Sequence, residues 1–277
     1  MYPPATPPPA LEVRGLSFRY PAPPQAAPGA PAERLLFDGL TLSIPRGSRC
    51  LLLGQNGVGK TTLLRVLAGR HMVAPEQVRV LGRSAFHDTS LAAEVVFLGG
   101  PFPFDVDLSV AEILHGRRQE ESAARRPGLG EGREARVARL LAVLGIEPSW
   151  RMARLSAGQR RRVQVLLGLL PPVQVVLLDE VTADLDVLAR ADLLELLREE
   201  SEERGVTIVY ATHVLDGLTR WATHLLFLSP GPAGQGSRVR VLAPLDQVPE
   251  LVALQEASAP APLLQLTERW LREDRGR

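Results

Sequence analysis

Lysine and cysteine are nearly absent from this chain of 277 residues, and no apolar run is long enough to span a membrane. Only Lys60 among the 32 lysine and arginine residues is a lysine. The single cysteine, Cys50, has no partner within the chain for a disulfide, which fits a buried thiol and a reducing compartment. The start MYPPATPPPA lacks the basic and apolar regions of a secretory signal. We therefore expect a cytoplasmic protein that does not insert into a membrane.

The charges are balanced, with 32 basic and 31 acidic residues and a net charge of +1. Such a chain has no overall field to capture a polyanion, so we do not expect a nucleic-acid partner. With 45% apolar and 23% charged residues, the composition is that of a globular protein with one sizeable core or two small ones. A lone lysine among arginines suggests a position that needs a compact ammonium, as among phosphate groups.

Two segments rich in proline and alanine, residues 1–10 and 21–32, are typical of a flexible tail and a long loop. Around the second segment apolar and polar residues alternate, which predicts half-buried strands in an antiparallel pair. The alternating residues are Leu16, Phe18 and Tyr20, followed by Leu40, Leu42 and Ile44. The N-terminal part therefore predicts an antiparallel β subdomain.

Short, wholly apolar runs recur through the rest of the chain and are typical of parallel strands that are covered on both faces. They lie at residues 50–53, 95–98, 175–178, 206–211 and 225–228. Segments with helical periodicity separate them, so strand and helix alternate. We therefore predict an α/β fold with a central, mainly parallel sheet.

The remaining segments complete the predicted organisation. A polar, glycine-containing stretch at 117–134 lies between helix-like segments and predicts a helical lobe at about residues 101–154. Residues 11–230 would form the main domain, and residues 231–277 a C-terminal extension. In the extension we expect a short strand near Val239 and an amphipathic helix whose Leu264, Trp270 and Leu271 pack on the body.

A strand, a glycine-rich loop and a helix follow one another from residue 50, and the loop matches GxxxxGK[ST]. Glycines let backbone N–H groups surround an anion, and the positive end of the helix attracts it. We predict that Lys60 reaches the outer phosphates of ATP and that the Thr61 hydroxyl ligates Mg²⁺. The predicted ATP contacts are the residues of this motif and the threonine that follows it: Gly54, Gln55, Asn56, Gly57, Val58, Gly59, Lys60, Thr61 and Thr62.

Two carboxylates, Asp179 and Glu180, end the apolar run at 175–178. The carboxyl ends of parallel strands meet at one edge of a sheet, so we expect both acids to lie near the phosphate loop. Asp179 suits Mg²⁺, directly or through water. Glu180 is the candidate to polarise an attacking water, a role worth roughly 100- to 10,000-fold in rate. Taken alone, the pair is also compatible with a solvated strand end.

The segment Leu155-Ser-Ala-Gly-Gln159 begins a predicted helix with Ser156 as its N-cap. It resembles the LSGGQ signature of ATP-binding cassette proteins, which are P-loop NTPases. That resemblance implies that Ser156, Gly158 and Gln159 of one subunit cap the γ-phosphate held by another, and hence a dimer. We expect a homodimer, although the sequence does not distinguish it from a heterodimer.

The resemblance extends to three further positions. Residues 182–186 resemble the family's D-loop, which implies a nucleotide contact for Asp186. His213 resembles the switch histidine that contacts the γ-phosphate, and Tyr20 the aromatic residue that stacks on adenine. Where the family usually has a glutamine beside the magnesium, this chain has Gly100. The missing side chain predicts altered hydrolysis and no coupling surface for a membrane subunit.

Longer stretches at 158–164, 179–187, 207–213 and 216–224 resemble the soluble, stand-alone cassette ATPases. That subgroup includes a fungal factor associated with the CCR–NOT complex and plant subfamily-I proteins, although Ala157 departs from the acidic residue typical there. The resemblance implies a regulatory switch with a protein partner. Two alternatives stay open: the nucleotide-binding subunit of a transporter, and a scaffold that hydrolyses negligibly. The sequence does not distinguish cytosol from nucleus.

Overall fold

The computed structural model describes residues 8–21, 33–100, 107–123, 132–183, 185–232 and 235–276. Residues 1–7 of the predicted tail and 22–32 of the predicted loop lie outside these ranges. Ala10, which composition assigned to the tail, is buried, and its N–H donates to the Ile44 carbonyl. Ordered structure therefore begins before residue 11.

An antiparallel sheet of strand order β2-β1-β4-β5 forms the first layer. Its strands are β1 (Leu11–Pro21), β2 (Glu33–Ile44), β4 (Val78–Val80) and β5 (Arg83–Ser84). The alternation predicted the pairing of β1 with β2, in which Phe18 lies opposite Phe37 and Tyr20 opposite Arg34. This sheet is the predicted antiparallel subdomain.

The central sheet has the strand order β10-β9-β3-β8-β7-β6. Its strands are β3 (Arg49–Gly54), β6 (Val95–Leu98), β7 (Val175–Asp179), β8 (Thr207–Ala211), β9 (His224–Ser229) and β10 (Arg238–Pro244). Neighbouring strands pair in parallel, except that β10 is antiparallel to β9. Each predicted apolar run is a strand of this sheet, and the expected strand near Val239 is β10.

The described helices cover both faces of the central sheet. They are α1 (Lys60–Leu67), α2 (Val110–Ala123), α3 (Gly132–Val143), α4 (Ala157–Leu169), α5 (Val187–Arg204), α6 (Leu218–Trp221), α7 (Pro249–Glu256) and α8 (Pro262–Arg275). In β3, Leu51 and Leu53 pack into one core with α4 and α5, whereas Cys50 and Leu52 pack into a second core with α1 and the antiparallel sheet. Burial on both faces explains why the strands are wholly apolar.

The predicted helical lobe contains α2 and α3, with residues 101–106 and 124–131 outside the described part of the chain. Arg136 of α3 donates to the carbonyl of Leu169 at 2.5 Å and to that of Leu170 at 3.3 Å, where α4 ends. The same guanidinium binds the buried Glu200 of α5 at 2.7 Å. Carbonyls at a helix end lack partners within the helix, so this arginine both caps α4 and ties the lobe to the body.

The C-terminal extension contains α7, which the sequence pattern did not reveal, and the predicted amphipathic helix, α8. Trp270 is buried and Leu271 packs against the core, as expected. The expectation for Leu264 is wrong, because its side chain is 39% exposed while Leu263 and Leu266 are buried. Leu263, Leu266 and Trp270 are spaced by three and four residues and so share one helix face.

Candidate functional site

The glycine-rich loop leaves β3 under tight packing constraints. A Cβ built on Gly54, whose φ is 145°, would lie 2.3 Å from the Leu228 carbonyl oxygen. A Cβ on Gly59, at φ 101°, would lie 2.7 Å from the Phe37 ring. Both positions require glycine because a side chain would collide with neighbouring strands and be strained. The loop is thus shaped by β9 and β2 as well as by its own sequence.

Lys60, the first residue of α1, folds back over the loop. Its ammonium donates to the carbonyls of Gly54 at 2.7 Å and Gln55 at 3.0 Å. Burial lowers the pKa of Lys60, and the charges of Glu180 and Asp179 oppose that shift. An ammonium has three protons, so one remains available to an added oxygen.

The N–H groups of residues 60–62 have no hydrogen-bond partner in the described part of the chain. Such groups at the start of a helix, together with the helix dipole, form a natural site for an anion. The phosphate-binding prediction therefore has a geometric basis.

Thr61 and Asp179 meet at the edge of the central sheet. Burial raises the pKa of the Asp179 carboxyl, and the neighbouring Thr61 hydroxyl acts in the opposite direction. Described residues include no cluster of three or more His, Cys, Asp or Glu that could hold a metal. Mg²⁺ usually takes one or two protein oxygens and completes its shell with water and phosphate, so a hydroxyl beside a carboxylate fits this ion.

Glu180 follows β7 in a strained backbone conformation, with φ 53°. Its carboxylate accepts from the His213 Nδ1 at 2.9 Å and from the His213 N–H at 3.3 Å. With Nδ1 donating, only a protonated imidazole can also donate from Nε2 to a phosphate. Strain of this kind persists where surrounding structure enforces it and is concentrated at functional sites.

Tyr20 lies half-buried beside the start of α1. Its hydroxyl is 3.1 Å from the Thr62 hydroxyl, and its ring makes edge contacts with Phe18 and His71 at centroid distances of 5.1 and 6.0 Å. These contacts fix the position of an aromatic ring at the end of the phosphate loop.

The signature segment lies elsewhere. Ser156 caps α4: its hydroxyl accepts from the Gln159 N–H at 3.2 Å, and the Gln159 side chain accepts from the Ser156 N–H at 3.0 Å. Helix α4 packs against β6, which is three strands from β3, or roughly 14 Å. No hydrogen bond in the described residues joins Ser156, Gly158 or Gln159 to the phosphate loop.

Asp186, a predicted nucleotide contact, has structural partners in this chain. Its carboxylate accepts from the Ala189 N–H at 2.9 Å as the N-cap of α5, and it also forms an ion pair with Arg162 of α4. These contacts tie the end of the D-loop segment to the signature helix. Within that segment Asp184 lies outside the described residues.

Two glycines end β6, where the family's glutamine is expected. A Cβ on Gly99 would lie 2.7 Å from the Asp179 Cβ, so this backbone approaches the carboxylate closely. Gly100 has φ 73°, and its carbonyl accepts from Arg161 of α4 at 2.9 Å. Neither glycine supplies a side chain to the site, and the link to the signature helix runs through a backbone carbonyl instead.

Sequence reasoning missed Arg34 of β2. It lies opposite Tyr20, and its Nη2 is 3.8 Å from the position of a Cβ on Gly57. To place Arg34 near the loop, one must know the register in which β1 and β2 pair across the 11 residues between them. The alternation alone does not fix that register.

A strand-ending phosphate loop, two strand-ending acids and a capped signature helix define the class of this protein. The family model described as "ABC transporter" matches residues 37–183. The chain therefore belongs to the ATP-binding cassette family, and it is an ATPase that binds ATP.

Curated relatives align with most of this chain. ABC transporter I family member 20 of Arabidopsis thaliana is 43% identical over 96% of this chain and 76% of its own. CCR4-associated factor 16 of Saccharomyces cerevisiae is 36% identical over 80% of this chain and 76% of its own. These names agree with the subgroup that the sequence resembles.

Solved structures share the fold. A dimeric ATP-binding cassette in a post-hydrolysis state, bound to ADP and Pi, has a TM-score of 0.67 at 21% identity, covering 85% of this chain and 98% of that one. In the described residues no helix has the length and apolar character needed to cross a bilayer.

Proposed function

We propose that two copies of this chain close head to tail around two ATP molecules and that hydrolysis reopens the pair, as a regulatory switch. One observation carries the proposal: the signature segment begins α4, which packs against β6, three strands from β3 and its phosphate loop, and the chain has one copy of each motif. A complete site then needs the loop of one copy and the signature of another. A related fold solved as a dimer supports this arrangement.

In the closed pair, Lys60 and the N–H groups of residues 60–62 bind the phosphates, and Tyr20 stacks on the base. Ser156, Gly158 and Gln159 of the second copy cover the γ-phosphate, with Asp186 beside them. Mg²⁺ held by Thr61 and Asp179 supplies charge neutralisation of the phosphates. Positioning and charge stabilisation are the main needs of phosphoryl transfer.

Glu180 orients the attacking water and accepts its proton. The contact with His213 holds the carboxylate in place, and His213 contacts the γ-phosphate. A glutamine at position 180 keeps the shape but removes the base, so turnover falls by roughly 100- to 10,000-fold.

Two exposed apolar residues support a second copy as the partner. Val187 and Leu188 are 83% and 77% exposed and directly follow Asp186 at the start of α5. Large apolar side chains left in solvent beside a site mark interaction surfaces. The homodimer that we propose buries both.

The test is light scattering of Glu180→Gln with and without ATP and Mg²⁺, beside turnover by the unmutated protein. We expect the variant to become dimeric with ATP and to lose turnover, while the matched control Glu147→Gln, on an exposed loop, behaves like the unmutated chain. A variant that stays monomeric at saturating ATP would contradict the switch. Equal, negligible turnover in all three proteins would favour the alternative of a scaffold that hydrolyses ATP negligibly.

We place the switch in the cytoplasm, without excluding the nucleus, with a protein of a regulatory complex as its partner. Support comes from the similarity to CCR4-associated factor 16. Affinity purification from cell extract tests the partner, and fractionation tests the location.

A transporter subunit is the second candidate. The Nickel import ATP-binding protein NikO of Rhodobacter capsulatus is 34% identical over 85% of this chain. The glycines that end β6 count against a coupling surface. Recovery of a polytopic membrane protein with the chain from solubilised membranes would favour this candidate over the switch.

A further inference from the structure

Arg34 and Tyr20 lie side by side above the phosphate loop. They are directly opposite in the β1–β2 pair, so their side chains project from the same face of the sheet. The Tyr20 hydroxyl contacts Thr62 in α1 at 3.1 Å, whereas the Arg34 guanidinium lies 3.8 Å from a Cβ position on Gly57, in the middle of the loop. A ligand that extends from the tyrosine ring into the loop passes within reach of the arginine.

The guanidinium of Arg34 has no hydrogen bond or ion pair with any described residue. Its neighbour Glu33 pairs instead with Arg19 at 3.7 Å. An arginine has five N–H donors and stays charged, so an unpaired guanidinium at a cleft is a ready site for an anion.

The cleft beside Arg34 is bounded by the first half of the phosphate loop. It has a volume of about 240 Å³ and is lined by Arg34, Gln55, Asn56 and Gly57, with Gly231 and Gly236 beyond β9. The buried Nε2 of Gln55 has no hydrogen-bond partner among the described residues. An arginine and an unsatisfied amide in the lining of one cleft call for a ligand rich in acceptor oxygens, as phosphate is.

We propose that Arg34 is a second cationic contact for the phosphates of the bound nucleotide, acting beside Lys60. This inference rests on nucleotide binding at residues 54–61, as in the proposed function. Each strand would then contribute one contact to the nucleotide: the Tyr20 ring of β1 holds the base, and the Arg34 guanidinium of β2 holds a phosphate.

Calorimetric titration of Arg34→Ala with ATP, ADP and adenosine tests the proposal. We expect affinity for ATP and ADP to fall by about tenfold or more, since charge-assisted hydrogen bonds are lost. Adenosine, which lacks phosphate, should bind equally to both proteins. Added salt should weaken ATP binding less in the variant than in the unmutated protein. Salt screens the attraction between the guanidinium and the phosphates, and the variant lacks that guanidinium. Arg34→Lys should recover part of the affinity.

The matched control is Arg19→Ala, the adjacent arginine of the same strand pair, which precedes Tyr20 and so projects from the other face. It should bind all three ligands normally. Unchanged ATP affinity in Arg34→Ala, or an equal loss for adenosine, would overturn the proposal. Unchanged affinity with a weaker dimer would assign Arg34 to a carboxylate of the second copy instead.

Failure of this inference differs from failure of the switch. If Glu180→Gln binds ATP and stays monomeric by light scattering, the switch fails, and the contact of Arg34 still stands or falls on its own titration. If the unmutated chain does not bind ATP, both are overturned.

Discussion

The phosphate loop and the signature segment differ in how far one chain alone prepares them to bind a nucleotide. At the loop, Lys60 donates to two carbonyls, Thr61 lies beside Asp179, and the N–H groups of residues 60–62 have no hydrogen-bond partner among the described residues. At the signature, the polar side chains of Ser156 and Gln159 cap their own helix. We infer that one chain is preorganised to bind a nucleotide, whereas enclosure of its γ-phosphate waits for a second chain.

Loss of Lys60 should have the largest effect and should act on the loop alone. In Lys60→Ala we expect turnover to fall by about 1000-fold, because a charge aimed at the phosphates is removed from a partly buried site. Nucleotide titration and a phosphate-release assay measure binding and turnover. The exposed Arg14→Ala is the control for loss of a positive charge. Normal ATP binding by Lys60→Ala would contradict the claim that the phosphate loop of one chain is preorganised to bind a nucleotide.

The lobe that carries α2 and α3 offers the next largest effect. Arg136→Ala should lower the free energy of unfolding by about 3 kcal/mol, because it leaves the Glu200 carboxylate buried without this partner. Urea denaturation measures this change in the free energy of unfolding. The matched control is Arg118→Ala, whose ion pair with Glu134 is exposed and is worth less than about 1 kcal/mol. Equal effects of the two substitutions would contradict the anchoring of α4 by Arg136.

Local sequence predicted the strands and the helix that surround the phosphate loop. The apolar runs of the central sheet, the motif at 54–61 and the acids that end β7 are contiguous, and their chemistry follows from strand and loop geometry. The capping of α4 by Ser156 was also foreseen, because an N-cap is a local signal.

Contacts between segments that are distant in the sequence could not be predicted from it. Arg34 reaches Gly57 only because β2 pairs with β1, and Arg136 finds Glu200 only when α3 docks on α5. The assignment of Leu264 failed because two adjacent leucines leave the helix phase undecided, and packing of α8 selected Leu263. Such choices depend on tertiary packing, which periodicity does not encode.

Loss of the Ser156 hydroxyl should have a smaller effect and should separate the two regions. Ser156→Ala removes an N-cap, which costs about 1 kcal/mol of stability. ATP affinity of the monomer should stay unchanged while turnover falls, because in the proposed pair the signature acts on the other copy's nucleotide. Titration at low protein concentration and turnover at high concentration make the distinction. A parallel loss of monomer affinity would indicate that the signature serves its own chain.

The smallest expected effect concerns Cys50, which lies in β3 beneath the loop. Burial raises the pKa of its thiol to about 12. We therefore expect no alkylation by iodoacetamide at pH 8 in the folded protein and full alkylation in urea, as followed by mass spectrometry. Rapid labelling of the folded chain without nucleotide would mean that the strand below the loop opens, which would contradict preorganisation.

The two-chain site is tested most directly by mixing two inactive variants, Lys60→Ala and Ser156→Arg. Each alone has a defect in both sites of its dimer. In a mixed dimer, the intact loop of one copy meets the intact signature of the other, so random mixing restores about a quarter of the sites. We predict turnover near that fraction of the unmutated rate. Turnover no greater than the average of the two variants alone would contradict the account.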